Sequence, residues 1–217
     1  MTDKEAINLH LTTLYIDNGK WTFFSGFCGA LKDARKMTGR NIQNGAKDLT
    51  NTFGHLGSWL GTIGYLSLLD QIGSCFKRKD GPVIEANKSC IIKALKNFSS
   101  LNDDKIDAIY ALRNSLAHDF SLQNVGHRQG LIHHFDLDNS PTNPLIVLPS
   151  MPWDGRMETK TLQNLTKINL QALGDAVELL VKNLISLNNS DELEIILLGG
   201  RQELIDRYSF VTGTRVI

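Results

Sequence analysis

The 217-residue chain has no surplus of either charge, since 23 Lys and Arg balance 23 Asp and Glu. That balance disfavours a strongly basic nucleic-acid binder, because neutralising many phosphates normally takes an excess of cations. Cysteine is scarce: Cys28, Cys75 and Cys90 form no C-x-x-C or other paired spacing. Neither a disulfide scaffold nor a zinc ribbon is expected, and the three read as free thiols of a reducing cytoplasm. The opening Met-Thr-Asp-Lys-Glu lacks the basic and apolar regions of a signal peptide, which also leads to a cytoplasmic expectation. The longest uncharged run, Leu49 to Leu69, is interrupted by Asn51, His55 and several glycines, so no membrane span is expected. No G-x-G-x-x-G or G-x-x-x-x-G-K-[ST] run is present to cradle a nucleotide phosphate. With 41% hydrophobic and 21% charged residues the composition is that of an ordinary globular protein, long enough for a full core and one domain spanning 1–217.

What the chain does have is helical periodicity. Trp21, Phe24, Phe27, Cys28 and Leu31 recur at helical spacing and predict a first long helix over about 20–47. In a second, over about 49–76, Gly54, Gly57, Gly61 and Gly64 fall on one side, which points to close approach by a neighbouring helix. Pro82 suits the first turn of a third helix, which Ile84, Ile91, Ile92, Leu95 and Phe98 carry to Ser99. A fourth runs from about 103 to 120 and a fifth from Thr161 to about Leu187. Asn189-x-x-Glu192 reads as a capping box opening a short helix, and 201–210 as a last helical segment. The connections are short, so an up-and-down helical bundle, mainly α, is expected. Between helices four and five the period changes to two. Leu131 to Leu137, the turn signal 138–143 and Leu145 to Leu148 predict a β-hairpin inserted within 125–157. His127, His133 and His134 lie here, but adjacent strand residues point to opposite faces, so no metal site is expected.

The fourth helix carries the chemistry. Ile106, Ile109, Leu112, Leu116 and Phe120 lie within about 120° of one another, a core-facing stripe. Arg113 falls inside that arc. Beside it Tyr110, Asn114 and His118, at i, i+4 and i+8, share one face. A guanidinium among apolar neighbours is costly unless partnered. The plain alternative is an Arg that reaches the surface and a His that ends the helix. A monomer would otherwise bury the charge or leave Ile106, Ile109 and Phe120 partly exposed; a two-fold contact would resolve both difficulties.

Arg113-Asn114-x-x-x-His118 resembles the R-x4-H motif of the HEPN family, and the resemblance extends over roughly 20–120 and the helix after 160. It implies a helical, usually dimeric, domain. It also implies a metal- and cofactor-independent endoribonuclease whose Arg and His meet in a cleft at the dimer interface. The setting would be bacterial toxins or phage defence, with an antitoxin or defence-system partner. The alternative is a non-catalytic dimeric module of the same type that binds RNA, a nucleotide or a protein. Where one HEPN subgroup has Tyr two residues after the His, this chain has Phe120, so modification of a Tyr there is not available.

In the ribonuclease reading His118 transfers protons, Arg113 clamps the phosphate and Asn114 orients either of them. Tyr110 is a candidate for stacking a base. Ser115 has no partner pattern that would make it a nucleophile. Six basic residues lie between Lys77 and Lys96 against two acidic ones, so Lys77, Arg78 and Lys79 are the candidate contacts to the RNA backbone. An acidic stretch from Asp175 to Asp206 could face elsewhere.

Overall fold

The computed structural model describes residues 1–47, 58–126, 131–140 and 142–213. Gly54, Gly57, His127 and Pro141 of the motifs above lie outside them. The expected mainly helical bundle is corrected: the chain is mixed α/β, 49% helical but also 19% strand, with sheets of three, two and four strands.

Helix α1 (Asp3–Thr12) starts at a reciprocal cap, in which Thr2 Oγ1 accepts from the Glu5 amide and Glu5 accepts from the Thr2 amide. Strands β1 (Tyr15–Asp17) and β2 (Trp21–Ser25) form a hairpin across Asn18-Gly19. The aromatic run read as a helix start is therefore a strand, with Phe23 wholly buried and Phe24 39% exposed. Trp21, Phe24 and Phe27 recur every three residues as in a helix, whereas the inward face of the strand is Trp21, Phe23 and Ser25 at a period of two. Pairing with β9 (Ser209–Gly213) decides between them. Ser25 then caps α2 (Gly26–Met37), accepting from Cys28 N.

Helix α2 packs against α3 (Ser58–Cys75) where Gly61 and Gly64 face it; a Cβ on Gly64 would sit 3.1 Å from that of Ala34. Two of the four aligned glycines thus serve helix packing within one chain. The chain continues through β3 (Phe76–Arg78), α4 (Cys90–Phe98) and α5 (Asp103–Asn114) to a wide-turn π segment, Ser115–Asp119. The third helix is shorter than its apolar pattern suggested, because residues 82–89 are not helical.

The hairpin within 125–157 is also corrected. Strands β4 (Gln123–Val125), β5 (Ile132–Asp138), β6 (Ile146–Val147) and β7 (Leu165–Asn169) form one sheet in the order β4-β5-β7-β6. Strand β7 separates the two strands expected to pair, running parallel to β5 and antiparallel to β6. Its Leu-Thr-Lys-Ile alternation, with Thr166 and Ile168 fully buried, is the strand signal that the following helical pattern obscured. Helix α6 (Leu170–Asn189) follows. The capping box read at Asn189 instead closes α6, and Leu193–Ile195 is β8, antiparallel to β3. Helix α7 (Gly200–Tyr208) leads into β9.

The core gathers α2 to α6 around Tyr65, Leu69, Ile91, Ile109 and Leu184. One polar group within it has a testable consequence. His10 is completely buried against Phe27, Phe76 and Tyr208, with neither ring nitrogen hydrogen-bonded among the described residues. Burial pushes its pKa down from 6.5 to about 3. The unfolded chain takes up this proton near 6.5 and the folded one only near 3. The His10 contribution is therefore complete above about 6.5 and is lost as pH falls toward 3. Urea unfolding at pH 7 and pH 5 should show wild type losing about 2 kcal/mol relative to His10→Leu over that interval; parallel losses would contradict it.

Candidate active site

The sequence places Asn102 before two aspartates, and the structure uses it: Asn102 Oδ1 accepts from Lys105 N and starts α5. Ile106, Ile109, Leu112 and Leu116 are buried as the apolar arc requires, but Phe120 is 51% exposed. The divergence begins at Ser115. Its hydroxyl donates back to Ala111 O, and the backbone widens into the π turn.

That widening brings the motif together. In a regular α-helix residues five apart lie about 140° from one another and do not meet. Here Arg113 Nη1 lies 3.4 Å from His118 Nε2 and 3.3 Å from Asn114 Oδ1. The Arg–His contact is a hydrogen bond when Nε2 carries its lone pair, the form in which His118 can accept a proton. His118 is exposed, and the Arg113 side chain is 30% exposed. The cluster faces solvent along one edge.

Arg113 is aimed by a residue that motif reading missed. Asp70 Oδ2 accepts from Arg113 Nε at 2.7 Å, while Asp70 Oδ1 accepts from Ile91 N in the first turn of α4. One carboxylate thus ties α3, α4 and α5 together and fixes the guanidinium by its inner nitrogen. Nη2 has no protein partner among the described residues, which leaves it available to an anion. The separation of 43 residues hid this pair. A signal was nevertheless there, since Asp70 is the sole charged residue of α3. It also removes the dilemma that favoured a dimer: Ile106 and Ile109 are each 1% exposed and Arg113 is partnered within one chain.

Phe120 ends the π segment at φ 49° and ψ 43°, a left-handed conformation that costs an L-residue about 1–2 kcal/mol and that glycine usually fills at helix ends. Its ring centroid lies 5.3 Å from that of Trp59 on α3. Tyr110 is half-buried and packs against the core.

The basic candidates are placed differently. β3 pairs with β8, so the basic and acidic stretches adjoin rather than occupy separate faces. Lys77 pairs with Glu194, Arg78 with Asp80 and Lys79 with Asp191, at 3.2, 2.9 and 3.0 Å. None is joined to Arg113, Asn114 or His118 among the described residues. Asp80 and Arg78 hold each other charged: the hydrogen bond from Arg78 keeps the exposed Asp80 carboxyl below its usual range.

Of the histidines considered for a metal, His133 Nδ1 meets Thr166 Oγ1 at 2.8 Å and His134 Nε2 meets Asn164 Oδ1 at 2.6 Å. Among the described residues no group of three or more His, Cys, Asp or Glu is placed to hold a metal ion, and no helix is long and apolar enough to cross a membrane. Comparisons with family models, curated proteins and solved structures each return no match, so the likeness to the HEPN family rests on the Arg113-to-His118 motif.

Proposed function

We propose that the chain is a metal-independent endoribonuclease of the HEPN type, with Arg113, Asn114 and His118 as its working group. The observation that carries this reading is the 3.4 Å approach of Arg113 to His118 across the π turn, with the guanidinium anchored from behind by Asp70. His118 Nε2 takes the proton of a ribose 2′-OH, the 2′-oxygen attacks the adjoining phosphorus, and the P–O5′ bond breaks to leave a 2′,3′-cyclic phosphate. Arg113 Nη2, together with the Nη1 hydrogen that turns from His118 Nε2 to the phosphate as Nε2 takes the proton, stabilises the charge that builds on the phosphoryl oxygens. Asn114 holds Nη1 and so keeps the fork in place. Lys77, Arg78 and Lys79 are proposed as outer contacts to the strand. Each must leave an intramolecular acid to reach a phosphate, so the salt dependence of binding should be shallow.

The leaving 5′-oxygen also needs a proton, and one motif supplies one imidazole. A second copy, with its motif helix near the first, would provide the acid, so the working unit is proposed to be a homodimer. Sedimentation at micromolar concentration should give about twice 24.2 kDa. Mixing Arg113→Ala with His118→Ala protein should restore part of the cleavage that each lacks. A fully active monomer would overturn the dimer, and a dimer without complementation would remove the shared cleft.

The second reading, a dimeric module that holds RNA, a nucleotide or a protein without cutting, draws on the neutral total charge and the internally paired lysines. Binding without cleavage would select it. An antitoxin or defence-system partner belongs to either reading.

A further inference from the structure

The chain places its bulkiest exposed ring near the motif in the backbone conformation least suited to it. A glycine at the end of the π segment would relax the left-handed turn. The residue there is Phe120, two positions after His118, with half its surface in solvent and its ring tilted against Trp59. Packing does not account for this choice, because the residues of the same helix that build the core, Ile109, Leu112 and Leu116, are at most 2% exposed. Strain held at a bulky exposed side chain beside a reactive pair is a mark of function.

We propose that Phe120, backed by Trp59, is the platform on which a base of single-stranded RNA stacks while the neighbouring phosphate meets Arg113 and His118. This rests on the ribonuclease reading and adds the residues that would hold the base. The Cα atoms of His118 and Phe120, two residues apart, are separated by at most about 7 Å, which places both side chains within the span of one nucleotide's phosphate and base. Only an unpaired base offers a free face to an aromatic ring at a protein surface, since bases within a duplex are covered on both sides by their stacking neighbours. The neutral ring selects no base by hydrogen bonding, so the preference is for unpaired over paired strand rather than for a sequence. Trp59 holds the ring from α3, the helix that also carries Asp70, so platform and anion clamp share one support.

The test measures binding in the His118→Ala background, so that the strand stays whole. The probes are a fluorescein-labelled single-stranded oligoribonucleotide of mixed sequence and an abasic ribose-phosphate strand of equal length and charge. The parent should bind the intact strand about tenfold more tightly than the abasic one. Phe120→Leu and Phe120→Gly should abolish that difference, and Phe120→Trp should keep it. Phe120→Gly should not lower the melting temperature, since it relieves the left-handed turn. Equal binding of both strands by the parent overturns the platform and leaves the ribonuclease reading standing, whereas no binding of either strand removes both. A Phe120→Gly protein that melts lower, or sediments at half the parent mass, assigns the ring to packing or to the interface instead and also overturns the proposal.

Discussion

Alanine at His118, or at Arg113, is expected to lower RNA cleavage by about 10²-fold or more while the helical signal stays near that of wild type. His118 is exposed and, among the described residues, its ring meets Arg113 at 3.4 Å, so its removal strands no buried group. Arg113 is different. Removing it leaves Asp70, 24% exposed at its side chain, without its cation but still bonded to Ile91 N. The fold should survive that loss, while the proposed phosphate clamp would be gone. Arg113→Lys should recover little, because a single ammonium cannot bond Asp70 through one nitrogen and offer a fork to phosphate through two others. Asp70→Asn keeps an oxygen for Ile91 N but turns an amide NH2 toward Arg113 Nε, so the charge and the acceptor that orient Arg113 are both lost while the guanidinium itself remains. It should therefore reduce cleavage less than Arg113→Ala does. Undiminished cleavage in His118→Ala or Arg113→Ala would reject the role given to that residue.

The largest effect on stability is expected at Glu178 of α6. Its carboxylate is buried and accepts two hydrogen bonds from Arg35, Nε to Oε1 and Nη2 to Oε2, both 2.7 Å. Tyr65 donates to Oε1 at 3.1 Å, and burial, reinforced by this carboxylate, pushes the Tyr65 hydroxyl well above its ordinary range, so that it stays a donor. Gly45 lies against the same carboxylate, where a Cβ would collide with it. Nearby Arg40, its side chain 2% exposed, donates to Gly45 O, Gln171 O and Asp175. The network therefore pins the stretch after α2 onto α6. Glu178→Gln keeps the shape but leaves the Arg35 guanidinium facing an amide in a largely dry site, and should cost about 3–5 kcal/mol. For a chain of this size that lowers the melting temperature by about 10 °C. Replacing Arg35 and Glu178 together by Met should cost less than Glu178→Gln, since no charge is then left unpaired. A loss below about 1 kcal/mol in Glu178→Gln would show that solvent reaches the pair.

The two ends of this structure were unequally legible in the sequence. Arg113, Asn114 and His118 could be named because a short motif on a helix needs only local spacing, and the buried face of α5 follows from periodicity alone. Strands β5 and β6 were legible from their own pattern, although their pairing through β7 was not; β3 and β8 were not, because each is three residues long and owes its existence to a partner far along the chain. β7 was absorbed into the helix that follows it, since Leu165 and Ile168 are spaced as in a helix and the strand's buried face begins with a polar residue, Thr166. Asp70 was overlooked for a similar reason: its partner lies 43 residues away, and only its isolation on an apolar helix marked it. The basic stretch at Lys77 was read as an open patch because the antiparallel register to Glu194 is a tertiary fact. Phe120 was assigned to the core by counting 100° per residue through a turn that is wider than that.

The central claim, that Arg113 and His118 cut RNA through the 2′-hydroxyl without a metal, is tested most directly by incubating wild type with a defined single-stranded oligoribonucleotide in excess chelator and identifying the product ends. The account predicts cleavage undiminished by chelator, products ending in a 2′,3′-cyclic phosphate, and loss of cleavage in His118→Ala. Cleavage abolished by chelator, or equally efficient cutting of an all-2′-deoxy strand, would contradict it.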